Sequence, residues 1–355
     1  MKKQLDIVKE VRIDTVRRAI PRSCYEKSLF RTFFSGILDI FLYLTAMAGV
    51  FYFDPWPLKL LFGGLAGCAV AFMFVWAHDA AHGALFRSKR LSEVLGTIFM
   101  LPSFNMYRLW ILGHNRVHHG FTIFTPIDWI WRPLSPEQYS SRAWYKRWFY
   151  QMERTPYFCA LHYLVHVWLT KMVLFLPEAS FRERAFYRLN KLIALGFFAV
   201  LASLAWVLGG GAMGVLAGVA VPFVVFNYFI ALFVYLHHTH PDIPFFDKRG
   251  EWSMTLGQLY CTTVVRCSRV AEFLTQNILI HVPHHVDSRI PFYRLEQAYE
   301  ALKASYGEFI HEYRFSWREV FRIFARCKLY DYEAKAWLTF KEAAAMRVKN
   351  ARLVA

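Results

Sequence analysis

Four stretches of this sequence are so long and so apolar that the rest of the chain must be arranged around them. They run from about Phe33 to Phe53, Leu60 to Ala77, Leu192 to Leu208 and Met213 to Leu236. A helix needs roughly 20 apolar residues to cross the hydrocarbon core of a bilayer. Asp39 is the single charge in the first stretch, and the other three carry none. The turn around Asp54-Pro55-Trp56-Pro57 joins the first pair, and Gly209-Gly210-Gly211 joins the second. The expected architecture is an all-α integral membrane protein whose four transmembrane helices form two hairpins, built as one domain over residues 1–355. Apolar residues make up 56% of the chain and charged residues only 19%, which excludes a disordered polypeptide. Six cysteines without a C-x-x-C pair exclude a small disulfide scaffold.

The net charge of +16 is lopsided in space as well as in sign. Of the 42 Lys and Arg residues, 9 precede the first stretch, 15 lie between the second and third, and 17 follow the fourth. Lys59 alone falls on the other side. Cytoplasmic loops carry this excess. The amino terminus, the 79–191 region and residues 237–355 are therefore expected on the cytosolic face, the latter two as a helical cap. The charge reads first as topology and contact with anionic lipid, and no nucleic-acid motif is present. Met1 to Arg22 has charges throughout and no apolar core, unlike a cleaved signal. It is expected as a surface helix at the membrane. Residues 156–177 are apolar but contain His162, His166 and Lys171, so an interfacial or partly embedded helix is expected there.

The histidines carry the chemistry. Eleven of the 14 fall in four clusters. His78 and His82 begin where the second stretch ends. His114, His118 and His119 follow in His-Asn-Arg-Val-His-His. His237, His238 and His240 stand where the fourth stretch ends, and His281, His284 and His285 complete the set. Histidines four apart share one helix face. Adjacent histidines diverge and can serve two metal ions. Neutral imidazole suits zinc, copper, iron and nickel.

Rival sites lack a residue each. There is no H-E-x-x-H for a helical zinc protease. A carboxylate-bridged di-iron bundle needs two E-x-x-H motifs, and only Glu308-Phe-Ile-His311 matches. Gly209 to Gly214 fits G-x-G-x-x-G, but no strand precedes it. Gly63/Gly67 and Gly214/Gly218 read as close helix packing.

At these clusters the chain resembles the membrane fatty acid desaturase superfamily, whose signature is H-x-x-x-H, H-x-x-(x)-H-H and H-x-x-H-H boxes with four spans between them. Three stretches make it most similar to acyl-lipid omega-6 (delta-12) desaturases. They are His237-His238-Thr239-His240-Pro241-Asp242-Ile243-Pro244, His281 to His285 with Arg289-Ile290-Pro291-Phe292-Tyr293, and Phe315-Ser316-Trp317 with Cys327-Lys328-Leu329-Tyr330-Asp331. The resemblance implies two iron ions held by His78, His82, His114, His118, His119, His238, His281, His284 and His285. It leaves His237 and His240 open. It also implies dioxygen as co-substrate and an acyl chain of a membrane lipid as substrate. Box two has three residues between its first two histidines where the omega-6 type commonly has two. Gln276 and Asn277 stand where relatives often carry His. Bond position, and desaturation rather than hydroxylation, stay open on these grounds. Asn277 is read either as holding a metal-bound water or as a hydrogen-bonding cap.

An unactivated methylene offers no acidic proton, so side-chain acid–base chemistry cannot attack it, and a metal–oxygen species must. Asp79, Asp128 and Asp287 are candidates for orienting the imidazoles. Trp129-Ile130-Trp131 either lines an acyl tunnel or sits in the interfacial aromatic belt. No nucleotide-binding or cytochrome segment is evident, so a separate electron donor, a ferredoxin or b-type cytochrome, is implied. His162 and His166 are expected to be dispensable for metal. The alternatives are a lipid or carotenoid hydroxylase, ketolase or epoxygenase on the same scaffold, or a non-catalytic metal or haem carrier.

Overall fold

The computed structural model describes residues 2–178 and 180–346. Met1, Ala179 and residues 347–355, parts of the expected surface helix and cap, lie outside them. Within that range the protein is mostly helical, and four helices are long and apolar enough to cross a membrane. The first, Leu29–Tyr52, starts where the Ser28 hydroxyl accepts the Arg31 N–H at 3.3 Å. After a three-residue break the second runs Trp56–Ala81, with Pro57 in its first turn, where a missing N–H costs nothing. The third, Phe181–Gly209, opens on a reciprocal Ser180–Glu183 capping box. It starts before Leu192 because residues 183–191 are charged but good helix formers. It stops at Gly210, whose φ of 83° suits glycine alone. The fourth runs Ala212–His238 and widens into a π-turn at Leu216–Ala220. Pro222 follows at once, unable to donate to the turn before it.

The second helix is central and packs against both the first and the fourth. Its glycines make the second contact close. A Cβ on Gly63 would lie 2.2 Å from the Ala217 carbonyl oxygen, and one on Gly67 would lie 2.6 Å from Val225 Cβ. Asp39 and Lys59, charged side chains buried in the first and second helices, are partnered within the protein. Gln276 Nε2 donates to buried Asp39 at 2.5 Å, and buried Lys59 Nζ donates to the Val50 carbonyl at 3.1 Å. The third helix differs from the others, with only 17% of its apolar window buried. Leu192 and Val207 are 65% and 75% exposed on it.

The other segments pack about the ends of the second and fourth helices that carry His78 and His238. They include two small sheets that an all-α reading does not contain. Thr263–Arg266 pairs in parallel with His311–Arg314, and Leu329–Asp331 pairs antiparallel with Ala336–Leu338. Each strand is three or four residues long, too short for a period-two pattern to register. The apolar helix Ala160–Leu174 falls short of crossing length. The amino-terminal helices Lys2–Glu10 and Ile13–Arg18 differ from a free surface helix. They bury Val8 and Val16 against the protein, and Arg17 Nε donates to the Val286 carbonyl at 2.9 Å. Trp131 does not sit in an interfacial belt. It is fully buried, stacks on His162 at 3.8 Å, and donates Nε1 to the Ala231 carbonyl.

The close glycine contact is testable. Gly63→Val should destabilise the detergent-solubilised fold by about 1–3 kcal/mol, the usual cost of overpacking. Gly64→Ala meets nothing within 4 Å and should leave stability unchanged or raise it by up to about 1 kcal/mol, the helix-propensity gain. Thermal unfolding of the two variants checks this, and equal destabilisation would contradict the packing described.

Candidate metal centre

The site is assembled from three helix ends and a widened turn. His78 lies in the last turn of the second helix, and His82 caps its end. His237 and His238 end the fourth helix. Box two sits on a π-helix, Ile111–His118. Such widened turns recur at functional sites. Here the wide turn lets His119 share a face with His114, five residues back, their Nε2 atoms 3.2 Å apart. His118 points to a different group. The third contribution is the short helix His281–Val286, which buries His281, His284 and His285.

The histidines fall into two adjoining foci. His78, His82, His114, His119 and His284 form one; His118, His238 and His285 form the other; His237, His238 and His281 extend it. In each group the candidate ligand atoms all lie within 4.8 Å of one another. The foci touch through His119 and His285, whose rings stack at 4.1 Å. The nine histidines implied by the resemblance are thus brought together, and His237 joins them, stacked on His281 at 3.6 Å. His240 does not join. It turns to Asp242, Arg322 and Glu319.

The partners of the outer nitrogens decide what the inner ones offer. His78 Nδ1 faces Asp79 at 3.1 Å and His118 Nδ1 faces Asp128 at 3.0 Å. His238 Nδ1 faces the Cys261 carbonyl at 3.3 Å, and His281 Nδ1 the Ile278 carbonyl at 3.0 Å. His285 Nδ1 faces the Gln258 amide oxygen at 2.6 Å. Carbonyls and carboxylates only accept, so each of these Nδ1 atoms carries the proton. Each Nε2 is then a bare lone pair. Yet His118 Nε2 and His238 Nε2 stand 3.1 Å apart, both lone pairs, with no proton to share between them. His78 Nε2 stands 2.9 Å from His114 Nε2. His82 Nε2 and His285 Nε2 are buried without any partner. A shared electrophile resolves this arrangement, and neutral nitrogen donors fit a first-row transition metal. Burial, then the neighbouring imidazoles, hold His82, His114, His119, His281, His284 and His285 well below the usual histidine range, so they stay neutral and able to ligate.

The ring-orienting groups are themselves fixed. Asp128 also accepts the Ile123 and Ile130 N–H groups, each at 3.1 Å. Asp79 accepts the Phe292 N–H at 2.8 Å, tying box one to the segment after His285. Asp287 orients no histidine. It turns to Arg289 and to the Tyr25 hydroxyl. Gln258 had no signal beyond being a lone amide in an apolar run; it holds His285 and donates to the His119 carbonyl. The backbone acceptors at Cys261 and Ile278 leave no trace in sequence. Asn277 acts as a cap, donating to the Phe292 carbonyl at 3.2 Å.

A further group, Glu153 with His162 and His166, is as compact as the others. Its chemistry is different. Burial pushes the buried His162 down to about 4, so it is neutral. Its Nε2 accepts the Trp131 N–H at 3.3 Å, and its Nδ1 donates to Glu153 at 3.2 Å. Both nitrogens are spent. A narrow cavity of about 30 Å³ lies between the second and fourth helices, walled by Phe74, Trp110 and Ile278 and bordered by His78, His118 and His281.

A profile of the fatty acid desaturase family matches residues 54–317, well over half of the chain. The chain belongs to this family. The family consists of oxidoreductases, so the protein is an enzyme of that class. The chain is 27% identical over 331 residues to the sn-1 oleoyl-lipid 12-desaturase of Synechocystis, covering 92% of this chain and 91% of the relative. It is 27% identical to the chloroplastic omega-6 fatty acid desaturase of Arabidopsis thaliana, covering 92% and 71%. It is 28% identical to the Synechocystis sn-1 acyl-lipid omega-3 desaturase (ferredoxin), covering 89% and 87%. The omega-6 (delta-12) resemblance read from three stretches of the sequence accords with the first two of these relatives; the third is named for the omega-3 position.

Two substitutions separate ring orientation from general packing. Gln258→Leu should lower metal affinity by roughly 10- to 100-fold, the usual loss when a ligand's orienting partner is removed. Asp287→Asn should leave it unchanged. In the same metal analysis His162→Ala and His166→Ala should retain metal that His284→Ala loses; loss in all three would contradict the assignment of His162 to packing.

Proposed function

We propose that the protein is an oxygen-dependent desaturase that introduces a double bond, at the delta-12 (omega-6) position, into an acyl chain of a membrane lipid. In this reading two iron ions are held by His78, His82, His114, His118, His119, His238, His281, His284 and His285. The observation that carries it is the convergence of inward-facing Nε2 atoms, several of them 2.9–3.2 Å apart, with both members of the His118–His238 pair lone pairs. Bound iron would supply what the methylene chemistry needs: activation of dioxygen and removal of two hydrogens. The reaction takes two hydrogens from the substrate, two electrons from outside and two protons from solvent, and dioxygen leaves as two waters.

The chain's own residues do the rest. Asp79, Asp128 and Gln258 hold their rings at fixed angles. Phe74, Trp110 and Ile278 put an apolar, water-excluding wall beside His78 and His118, against which a methylene of the acyl chain can rest. The four long helices cross the membrane as two hairpins. The exposed apolar side chains of the third make sense against lipid, since contiguous exposed apolar surface is rare on soluble proteins. With 41 of 42 basic residues on one side, the histidines and the segments around them face the cytosol. The electrons come from a separate donor. Ferredoxin is the favoured class, because one relative is named for it and such carriers are acidic against this basic face.

Expression in a host without polyunsaturated lipids tests the reading. Fatty-acid chromatography should show a new dienoic acid with its second bond at carbon 12, and purified protein should hold about two irons per chain. A hydroxy or keto acid instead would move the protein to the related oxygenation chemistries. Zinc in place of iron, with no oxygen-dependent product, would overturn the proposal.

A further inference from the structure

A cavity of about 900 Å³ opens beside the metal centre, with Ala80, Ala81 and His82 in its lining. Its walls are partly apolar, but its charge is one-sided. Glu93 is the single carboxylate, and Arg108 neutralises it with Nε 2.7 Å from Oε1. Two of the remaining cations are also committed. Lys27 donates to the Gly83 and Phe86 carbonyls, and Arg289 pairs with Asp287. Four are not. The side chains of Arg22, Arg87, Lys89 and Arg116 are exposed at the cavity and make no hydrogen bond or ion pair among the described residues. Unmatched charge of one sign around a hollow with apolar walls focuses potential and draws an anion in.

The shape and position narrow the anion. A hollow of this volume suits a small molecule, for which roughly 300–1,000 Å³ is typical. A protein partner instead needs a broad face of about 800 Å². The cavity reaches Ala81 at the end of the second helix and Tyr187 near the start of the third, the level at which crossing helices meet the headgroup layer. One wall leads to the lipid-facing surface. Phe86 packs on Phe33 at 5.8 Å, and Phe33 and Phe34 are 41% and 52% exposed on the first helix. An acyl chain can follow that slope while its headgroup stays in the cavity. Guanidinium groups bind phosphate oxygens in pairs, which favours a phosphate ester over a lone carboxylate.

We propose that this cavity binds the phosphate headgroup of an anionic bilayer phospholipid, making phospholipid the preferred acyl substrate. The proposal rests on the desaturase reading above. The purified enzyme, supplied with electron donor, is placed in bilayers of phosphatidylglycerol and an uncharged galactolipid in equal amounts, each with an oleoyl chain of distinct isotope label. Product should form mainly in phosphatidylglycerol. The double variant Arg87→Gln/Arg116→Gln should lower the ratio of phosphatidylglycerol product to galactolipid product by at least roughly fivefold, as loss of cations near an anionic surface predicts. Equal use of the two lipids by the wild type, or an unchanged ratio in the variant, would overturn the proposal. Preferential turnover of oleoyl-coenzyme A in a parallel arm would also overturn it, assigning the phosphate site to a soluble carrier. Lipid retained through purification is measured alongside. If no double bond forms in any arm, the desaturase reading fails, and retained phosphatidylglycerol, enriched in wild type and lost in the variant, still decides the cavity.

Discussion

The structure is organised by an electrostatic conflict that the protein alone does not relieve. Each imidazole whose Nδ1 gives its proton to a carboxylate, amide or carbonyl turns a bare Nε2 toward its neighbours. His118 and His238 do so at 3.1 Å, both buried. An unpaired buried acceptor costs about 1–3 kcal/mol, and here several converge. A bound cation turns that cost into affinity. The groups that look most remote from the chemistry, such as the Cys261 carbonyl and the Gln258 amide, matter because they forbid the tautomer in which the rings would simply hydrogen-bond to one another.

The long helices serve the same end. The second and fourth helices each end in histidine, and close glycine packing through Gly63 and Gly67 brings those ends together. The segment from Gln276 to Asn277, both at positive φ, leads into Ile278, whose carbonyl sets His281. Asp39 anchors that turn from within the first helix through Gln276. Gln276 thus has a local role: it takes no part in the metal groups and ties a loop to the first helix.

Much of this was legible from residue spacing. Long apolar runs mark their own helices, and His78 and His82, four apart, do share a group; His114 and His118, also four apart, do not, because the π-helix pairs His114 with His119. Asp79 and Asp128 were legible as acids near the boxes. Asp287, equally near, was not separable from them, because whether an acid meets an imidazole or Arg289 is settled by rotamer and backbone turn. His237 was ambiguous for a similar reason, since its membership depends on a ring stack with His281, 44 positions along the chain. The short strands, Gln258 and the buried place of Trp131 depend on partners distant in sequence, and no local pattern reports them.

X-ray absorption at the iron edge tests the central claim most directly. The account predicts an iron-loaded protein whose first shell is dominated by nitrogen at roughly 2.0–2.2 Å, with the multiple-scattering pattern of several imidazoles. A shell containing sulfur near about 2.3 Å, or one made mainly of carboxylate oxygen without imidazole scattering, would contradict it.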